Sequence, residues 1–198
     1  MRVGVIALQG GFAEHIAMLS RLGADALPVR LPSQLAGLGG IVIPGGESTT
    51  LRRLMREYAL IEPIRELARQ GLPVWGTCAG MVLLARKASD SPNGTLDLLN
   101  IEVERNAFGR QVDSFESDLS ISALGDCPFP GVFIRAPLIT TLGDGVEALC
   151  QLPNGAVVAA REGNRLVCSF HPELTDDPRF HEYFLSLDRG DAFKKSSH

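Results

Sequence analysis

The stretch LPVWGTCAGMVLLARK (residues 72–87) passes from strand character to helix character without room for a loop. Strand-forming residues run from Pro73 to Gly76, and helix-forming residues (Met81, Val82, Leu83, Leu84, Ala85) follow Cys78 at once. A chain that turns this sharply is strained, and glycines two before and two after the corner, Gly76 and Gly80, leave room for helix and strand to pack. Such an elbow projects the Cys78 side chain at a helix N-terminus, where exposed N–H groups and the helix dipole favour a thiolate. A lone Cys is most often a small core residue. The Gly-x-Cys-x-Gly frame has no packing purpose of its own, so Cys78 is a candidate nucleophile.

An elbow needs a sheet behind it, and the first half of the chain supplies one by pattern. Strands are expected over 2–8, 26–30, 39–46 and up to Trp75, with helices over 11–22, 49–58, 61–70 and after Cys78. Near-continuous apolar strands separated by helices indicate a parallel sheet covered on both faces. In the second half LLNIEVERN, DLSISAL, GVFIRAP, VEALCQL, AVVAARE and RLVCSF read as short strands joined by Gly, Pro and Asn turns. These suggest antiparallel additions, closed by a helix over 178–187. The expected fold class is therefore α/β, a largely parallel central sheet with antiparallel additions. With no repeat and no linker, one domain is expected over 1–189, with a polar, disordered tail over 190–198.

In RLVCSFHPELTDD (165–177) an apolar strand is expected to end at His171. Pro172 keeps the preceding residues extended. Side chains two apart on an extended segment share a face, which sets Glu173 beside His171. A carboxylate that fixes an imidazole, an imidazole that takes a thiol proton and a thiolate that attacks an acyl carbon form a triad. Cys78, His171 and Glu173 carry that set in chain order.

Open α/β sheets bind ligands beyond the carboxyl ends of their strands. That places Gln9-Gly10, Pro44-Gly45-Gly46-Glu47-Ser48 and Cys78 around one site. Ser48 or Thr49 is expected to cap the next helix. Backbone N–H groups near Gly46 and at Ala79 are candidates for an oxyanion hole, with Gln9 and Gly10 nearby. No Gly-Lys-Ser/Thr and no GxGxxG follows a strand, which excludes the common phosphate loops.

The net charge of −4 and the scattered Lys and Arg residues argue against a nucleic-acid surface. Cys78, Cys127, Cys150 and Cys168 lie far apart with no CxxC, so neither a disulfide framework nor a metal site is expected. The first apolar run is too short to span a membrane, and a cytoplasmic chain without membrane contact is expected. His15, in the first helix, is expected at the surface or facing a partner, and His181 carries no signal.

These motifs carry a resemblance. The chain resembles the class I, triad-type glutamine amidotransferases, and within them the glutaminase subunits of pyridoxal 5′-phosphate synthase. The wider likeness rests on GTCAG (76–80) and HPE (171–173). The narrower one rests on LQG (8–10), PGGESTT (44–50), VERNAFGRQVDSFE (103–116), FIRAP (133–137) and SFHPELTDD (169–177). Only the tail lies outside it. The resemblance implies a flavodoxin-like three-layer sandwich that hydrolyses L-glutamine to glutamate and ammonia through a Cys78 thioester, without a cofactor. It implies that Gly46, Glu47, Ser48, Arg105, Ile134 and Arg135 contact glutamine, the two arginines being suited to a carboxylate, and that RNAFGRQ forms a loop over the site. The implied partner is the barrel-shaped synthase subunit, in a hetero-oligomer.

Two other readings stay open on the residues alone. Cysteine hydrolases of the intracellular-protease superfamily also use a Cys elbow, but often with His directly after Cys, where this chain has Ala79. An idle scaffold subunit is the third, against which the intact Cys-His-Glu set argues.

Overall fold

The structure is a computed structural model and describes residues 1–89, 95–105 and 114–187. The expected tail over 190–198 and most of the RNAFGRQ loop lie outside the described residues.

The first half alternates as expected: β1 (Arg2–Ile6), α1 (Phe12–Arg21), β2 (Asp25–Val29), β3 (Gly40–Ile43), α2 (Ser48–Glu57), α3 (Ile61–Arg69), β4 (Val74–Thr77) and α4 (Ala79–Leu84). The second half holds β5 (Ala85–Ala88), β6 (Leu99–Glu104), β7 (Ser114–Leu119), β8 (Phe129–Ile134), β9 (Leu138–Leu142), β10 (Glu147–Gln151), β11 (Val157–Glu162), β12 (Arg165–Cys168) and α5 (Arg179–Ser186). Ten strands form one sheet in the order β2-β1-β3-β4-β12-β11-β9-β6-β5, with β10 on β11, while β7 and β8 form a separate hairpin. β2, β1, β3, β4 and β12 run parallel. β11 pairs antiparallel with β12, β10 and β9, and β9 pairs antiparallel with β6. The protein is a flavodoxin-like α/β sandwich.

Side-chain alternation explains the three layers. Ile41 and Ile43 of β3, Val74 of β4 and Val167 of β12 join Leu51, Met55 and Ile64 of α2 and α3 in one core. Val42, Trp75, Leu166 and Cys168 point the other way and meet Leu19 of α1, Phe180 and Phe184 of α5, and Phe129 and Phe133 of the hairpin. Strands buried on both faces carry apolar residues at successive positions, which is why they read as unbroken apolar runs.

Three elements differ from expectation. Ala85, expected in the helix after Cys78, instead opens the unexpected strand Ala85–Ala88: α4 stops after six residues and β5 pairs with β6. As an edge it is charged, Arg86 and Lys87 lying 3.5 and 3.6 Å from Glu102. β9 was unanticipated because Leu138 follows FIRAP directly. The strand expected at 118–124 instead covers Ser114–Leu119, and Ser122–Leu124 form a 3-10 turn. Cross-strand packing sets this register: Phe115 stacks on Phe133 with ring centroids 4.5 Å apart, and Leu119 opposes Phe129.

At the elbow the glycines interlock. A Cβ on Gly80 would stand 2.0 Å from the Ile43 carbonyl oxygen, and one on Gly76 would stand 2.5 Å from the Gly80 carbonyl. The neighbours are backbone and cannot yield. Gly80→Ala should therefore cost about 1–3 kcal/mol through overpacking, seen as a lowered denaturation midpoint with an unchanged slope. A variant as stable as the parent would show that helix α4 can shift away from β3.

Candidate active site

Because β1, β3, β4 and β12 are neighbouring parallel strands, the segments that follow their carboxyl ends share one edge of the sheet. Cys78 sits on that edge in a left-handed conformation (φ 47°, ψ −103°), an unusual one for a residue with a Cβ. Its N–H donates to the Cys168 carbonyl at 2.8 Å, tying the elbow to β12. Its sulfur lies 4.0 Å from the Ile134 carbonyl oxygen. His171 arrives from β12, and its N–H donates to Val132 O of β8 at 2.8 Å. The His171 ring shares the cleft wall with Cys78 on one side and is influenced by its sulfur. On the other, Nδ1 is 2.7 Å from Glu173 Oε1.

The His171–Glu173 contact arises differently from the expected shared face. β12 ends at Cys168, and Pro172–Leu174 form a 3-10 turn with His171 as the extended residue before it. The turn, opened by Pro172, curls the carboxylate back under the ring. Both side chains are buried. Burial is the largest influence on His171 and pulls its pKa down, but the bonds to Cys78 and Glu173 and their charges outweigh it and push the pKa up to about 10. Burial likewise raises Glu173, yet the neighbouring His15 and the bond from His171 hold it below the usual carboxylate range.

The loop between β3 and α2 also departs from expectation. Glu47, not Ser48 or Thr49, is the N-cap of α2, accepting from Thr49 N–H at 2.9 Å and Thr50 N–H at 2.7 Å. The bonds to Thr50 and Thr49, the Thr50 side chain foremost, together outweigh the opposing effect of burial and hold the Glu47 carboxyl at about 2. Arg105, just past β6, reaches Glu47 Oε1 at 3.3 Å and Thr49 Oγ1 at 3.2 Å. Gln9 Oε1 accepts the Glu47 N–H at 2.8 Å, and the Gly45 carbonyl accepts the Gly11 N–H at 3.2 Å. The second bond turns the Gly46 N–H, on the far side of the same trans peptide, away from Gly11. Only glycine fits at Gly45, where a Cβ would stand 2.4 Å from His171 Cε1. At Gly10 (φ 91°) it would fall 1.7 Å from the Gly45 oxygen.

A cleft of about 290 Å³ opens over Cys78, lined by Gln9, Gly46, Glu47, Ser48, Ala79, Arg105, Ile134, Arg135 and His171, together with Val82 and Pro137. Of the triad, glutamine-contact and oxyanion-hole candidates named from the sequence, Gly10 and Glu173 are absent from its wall, standing behind Gly45 and His171. Arg135 takes φ 42°, a second strained residue at the cleft. Val82 and Pro137 also line the cleft and carry no role in the sequence reading, Val82 as a helix residue and Pro137 as the last residue of FIRAP, both being apolar wall. His15 corrects the surface expectation: it is fully buried behind Glu173 and bonded to His181. Among the described residues no group of three or more His, Cys, Asp or Glu is placed to hold a metal, and no helix is long and apolar enough to cross a membrane.

A buried Cys–His–Glu arrangement on the elbow of a flavodoxin-like sheet defines a class, the triad-type glutamine amidotransferases. Within it, the chain belongs to the SNO glutamine amidotransferase family, which it matches over residues 5–187. It is 56% identical over 189 residues to pyridoxal 5′-phosphate synthase subunit PdxT of Dehalococcoides mccartyi, covering 94% of this chain and 97% of that protein. PdxT of Bacillus velezensis is 53% identical over 187 residues, 94% of each chain. A crystal structure of a glutamine amidotransferase superposes with a TM-score of 0.89 at 49% identity, covering 94% of this chain and 98% of the other. A putative GMP synthase subunit from Thermoplasma acidophilum, 17% identical, shares the fold with a TM-score of 0.68 over 96% of this chain and 94% of its own.

The double role of Glu47 yields a pH test. Glu47→Ala should lower stability by about 1 kcal/mol or less at neutral pH, the usual cost of a lost N-cap with a partly exposed side chain. Since the folded-state pKa is depressed from 4.5 to about 2, the stabilisation is present above 4.5 and lost as pH falls towards 2. Urea midpoints of parent and variant should converge across that window. A constant gap would mean that the charge contributes nothing.

Proposed function

We propose that this chain is the glutaminase subunit of a pyridoxal 5′-phosphate synthase, acting in the cytoplasm. Cys78, His171 and Glu173 hydrolyse L-glutamine, and the ammonia passes to a barrel-shaped synthase subunit. The observation that carries the reading is one imidazole bonded to a buried carboxylate and facing the elbow cysteine in the same cleft.

The chemistry follows from that geometry. His171 takes the Cys78 proton, and the thiolate attacks the side-chain amide carbon of glutamine. The oxygen of the tetrahedral intermediate faces the N–H groups of Ala79 and the Gly46 region. His171 returns the proton to the departing nitrogen, the C–N bond breaks, and ammonia leaves a γ-glutamyl thioester on Cys78. A water, deprotonated by His171, cleaves the thioester and regenerates the thiol. Glu173 keeps the imidazole in the tautomer whose other nitrogen faces sulfur. Arg105 and Arg135 suit the substrate carboxylate, and the Glu47 anion suits its ammonium group. Ser48 and Ile134 complete the contacts.

Cys78→Ala should abolish glutamate release while the chain stays folded, and loss of His171 should be about as damaging, because triad members act as one unit. Glu173→Gln should be milder. Steady-state glutamate assays decide: more than trace turnover in Cys78→Ala removes the nucleophile assignment, and a fully active Glu173→Gln reduces Glu173 to a turn residue.

Ammonia released into bulk water is largely protonated and lost as a nucleophile, so a consumer must dock over the strand ends. Docking can also settle the backbone around Gln9-Gly10 and Gly45-Gly46 into its oxyanion-binding form. The isolated chain should show weak glutaminase activity, strongly stimulated in kcat by the synthase subunit. Full activity alone, or no association in analytical ultracentrifugation with glutamine present, contradicts the partner assignment.

A further inference from the structure

Behind the Cys78–His171–Glu173 line lies a second layer of histidines that glutamine hydrolysis as written does not use. His15 of α1 and His181 of α5 are both fully buried. Their rings meet at His15 Nδ1 and His181 Nε2, 2.9 Å apart. The other His15 nitrogen, Nε2, stands 3.4 Å from Glu173 Oε2 and 3.3 Å from Thr77 Oγ1 of β4. Trp75 holds both rings edge-on, with centroids 5.1 Å from His15 and 4.9 Å from His181. Glu173 Oε2 has no aligned hydrogen-bond partner, although it is buried. His15 Nε2 is the titratable nitrogen beside it.

Donor counting fixes the tautomers. Neutral imidazole carries one N–H and one bare nitrogen. Were His15 to donate from Nδ1, its bare Nε2 could accept from the Thr77 hydroxyl but would also face a carboxylate oxygen, lone pair against lone pair, and His181 Nδ1 would bury an N–H with no acceptor. With His181 donating from Nε2 to His15 Nδ1, the His15 proton is forced onto Nε2, where it faces Glu173. The bare nitrogen is then His181 Nδ1, which has no partner in the structure. An orphaned lone pair is tolerated better than an orphaned N–H.

We propose that His15, held in its Nε2–H tautomer by His181, is a positioning residue that fixes the free oxygen of Glu173 and through it the His171 imidazole. This rests on the Cys78–His171–Glu173 assignment above. The pair stays neutral: burial, the largest influence on each, lowers both, His181 to about 2, and His15 depresses His181 further, as His171 depresses His15. The charged groups facing them are Glu173 and His171 from the turn, Glu14 and Arg21 from α1, while β4 presents only Thr77 and Trp75. A neutral donor steadies the carboxylate without cancelling the charge that His171 needs.

The test reads Cys78 directly and needs neither glutamine nor a partner. Iodoacetamide alkylation of the full-length chain is followed from pH 5 to 9 by peptide mass spectrometry, with exposed Cys127 as internal standard. In the parent, Cys78 should outpace Cys127 below neutral pH. Removing the donor lets Glu173 protonate more readily and releases the ion pair, so His15→Leu should move the acid limb up by about one pH unit, the scale of one hydrogen bond to a charged group. His15→Gln, which keeps an N–H at nearly the same place, should restore most of it. His181→Phe keeps the ring contact with Trp75 but frees the tautomer, and should shift the limb the same way by less. A merely structural role would lower the melting temperature of these variants and leave the limb in place. A folded His15→Leu with the parental limb overturns the proposal. Should that variant fail to fold by circular dichroism, an unmoved limb in His181→Phe overturns it instead. A parent in which Cys78 has no advantage over Cys127 overturns the nucleophile assignment, and this inference with it.

Discussion

The parallel pairing of β4 with β12 is the contact on which the site depends. Val74–Thr77 align with Arg165–Cys168, and the Cys78 N–H extends the ladder by one bond to Cys168 O. Two segments far apart in sequence are thereby locked in register at the residue where each leaves the sheet. A slip of one residue would turn every side chain of β12 to the other face. It would also carry the backbone leading to His171 past the elbow. The register is well specified because both faces of these strands are buried: Val167 packs against one core and Leu166 and Cys168 against the other. Catalytic geometry is inherited from core packing.

Close backbone approach does the rest. Gly80 against Ile43, Gly10 against Gly45, and Gly45 against the His171 ring bring four strand ends nearer than any Cβ would allow. The strain falls on residues that have a side chain to present, Cys78 at φ 47° and Arg135 at φ 42°. Both line the cleft, and each is held by a regular element, β4 and β8, that ends at the residue immediately before it. Strain of this kind survives where the surroundings over-determine it.

How much of this the sequence discloses depends on range. The first-half alternation and the elbow are local signals, and those elements fall within a few residues of their expected places, whereas at HPE the pairing of His171 with Glu173 was expected and the 3-10 turn that makes it was not. β5 and β9 escaped because their burial is decided by distant partners: four residues of Ala-Arg-Lys-Ala become a strand only by lying along β6. The Glu47 cap escaped because Ser48 and Thr49 are the better caps by propensity, while Gln9 and Arg105 fix Glu47 from elsewhere in the chain. His15 is a different case. It shares the buried stripe of α1 with Met18 and Leu19, spaced three and four residues on. That period was legible and places His15 inward; what no local pattern showed was the carboxylate it would meet.

The buried site holds two histidine populations with opposite charge preferences, and the acid and base limits of the fold follow from them. His171, raised from 6.5 to about 10, favours folding fully below 6.5, and that contribution fades as pH rises through 10. Glu173, lowered, favours folding above the ordinary carboxylate range and loses that role as pH falls through its own folded value. His15 and His181 are depressed, so below 6.5 the unfolded chain takes up protons that the folded core refuses, and stability drains on the acid side. His171 in contact with Glu173, flanked by rings that decline to charge, keeps the buried carboxylate compensated between these limits. Charging His15 would place a second cation beside a single carboxylate and weaken the bond from Glu173 to His171, so the burial that keeps His15 neutral serves the same ion pair that catalysis requires.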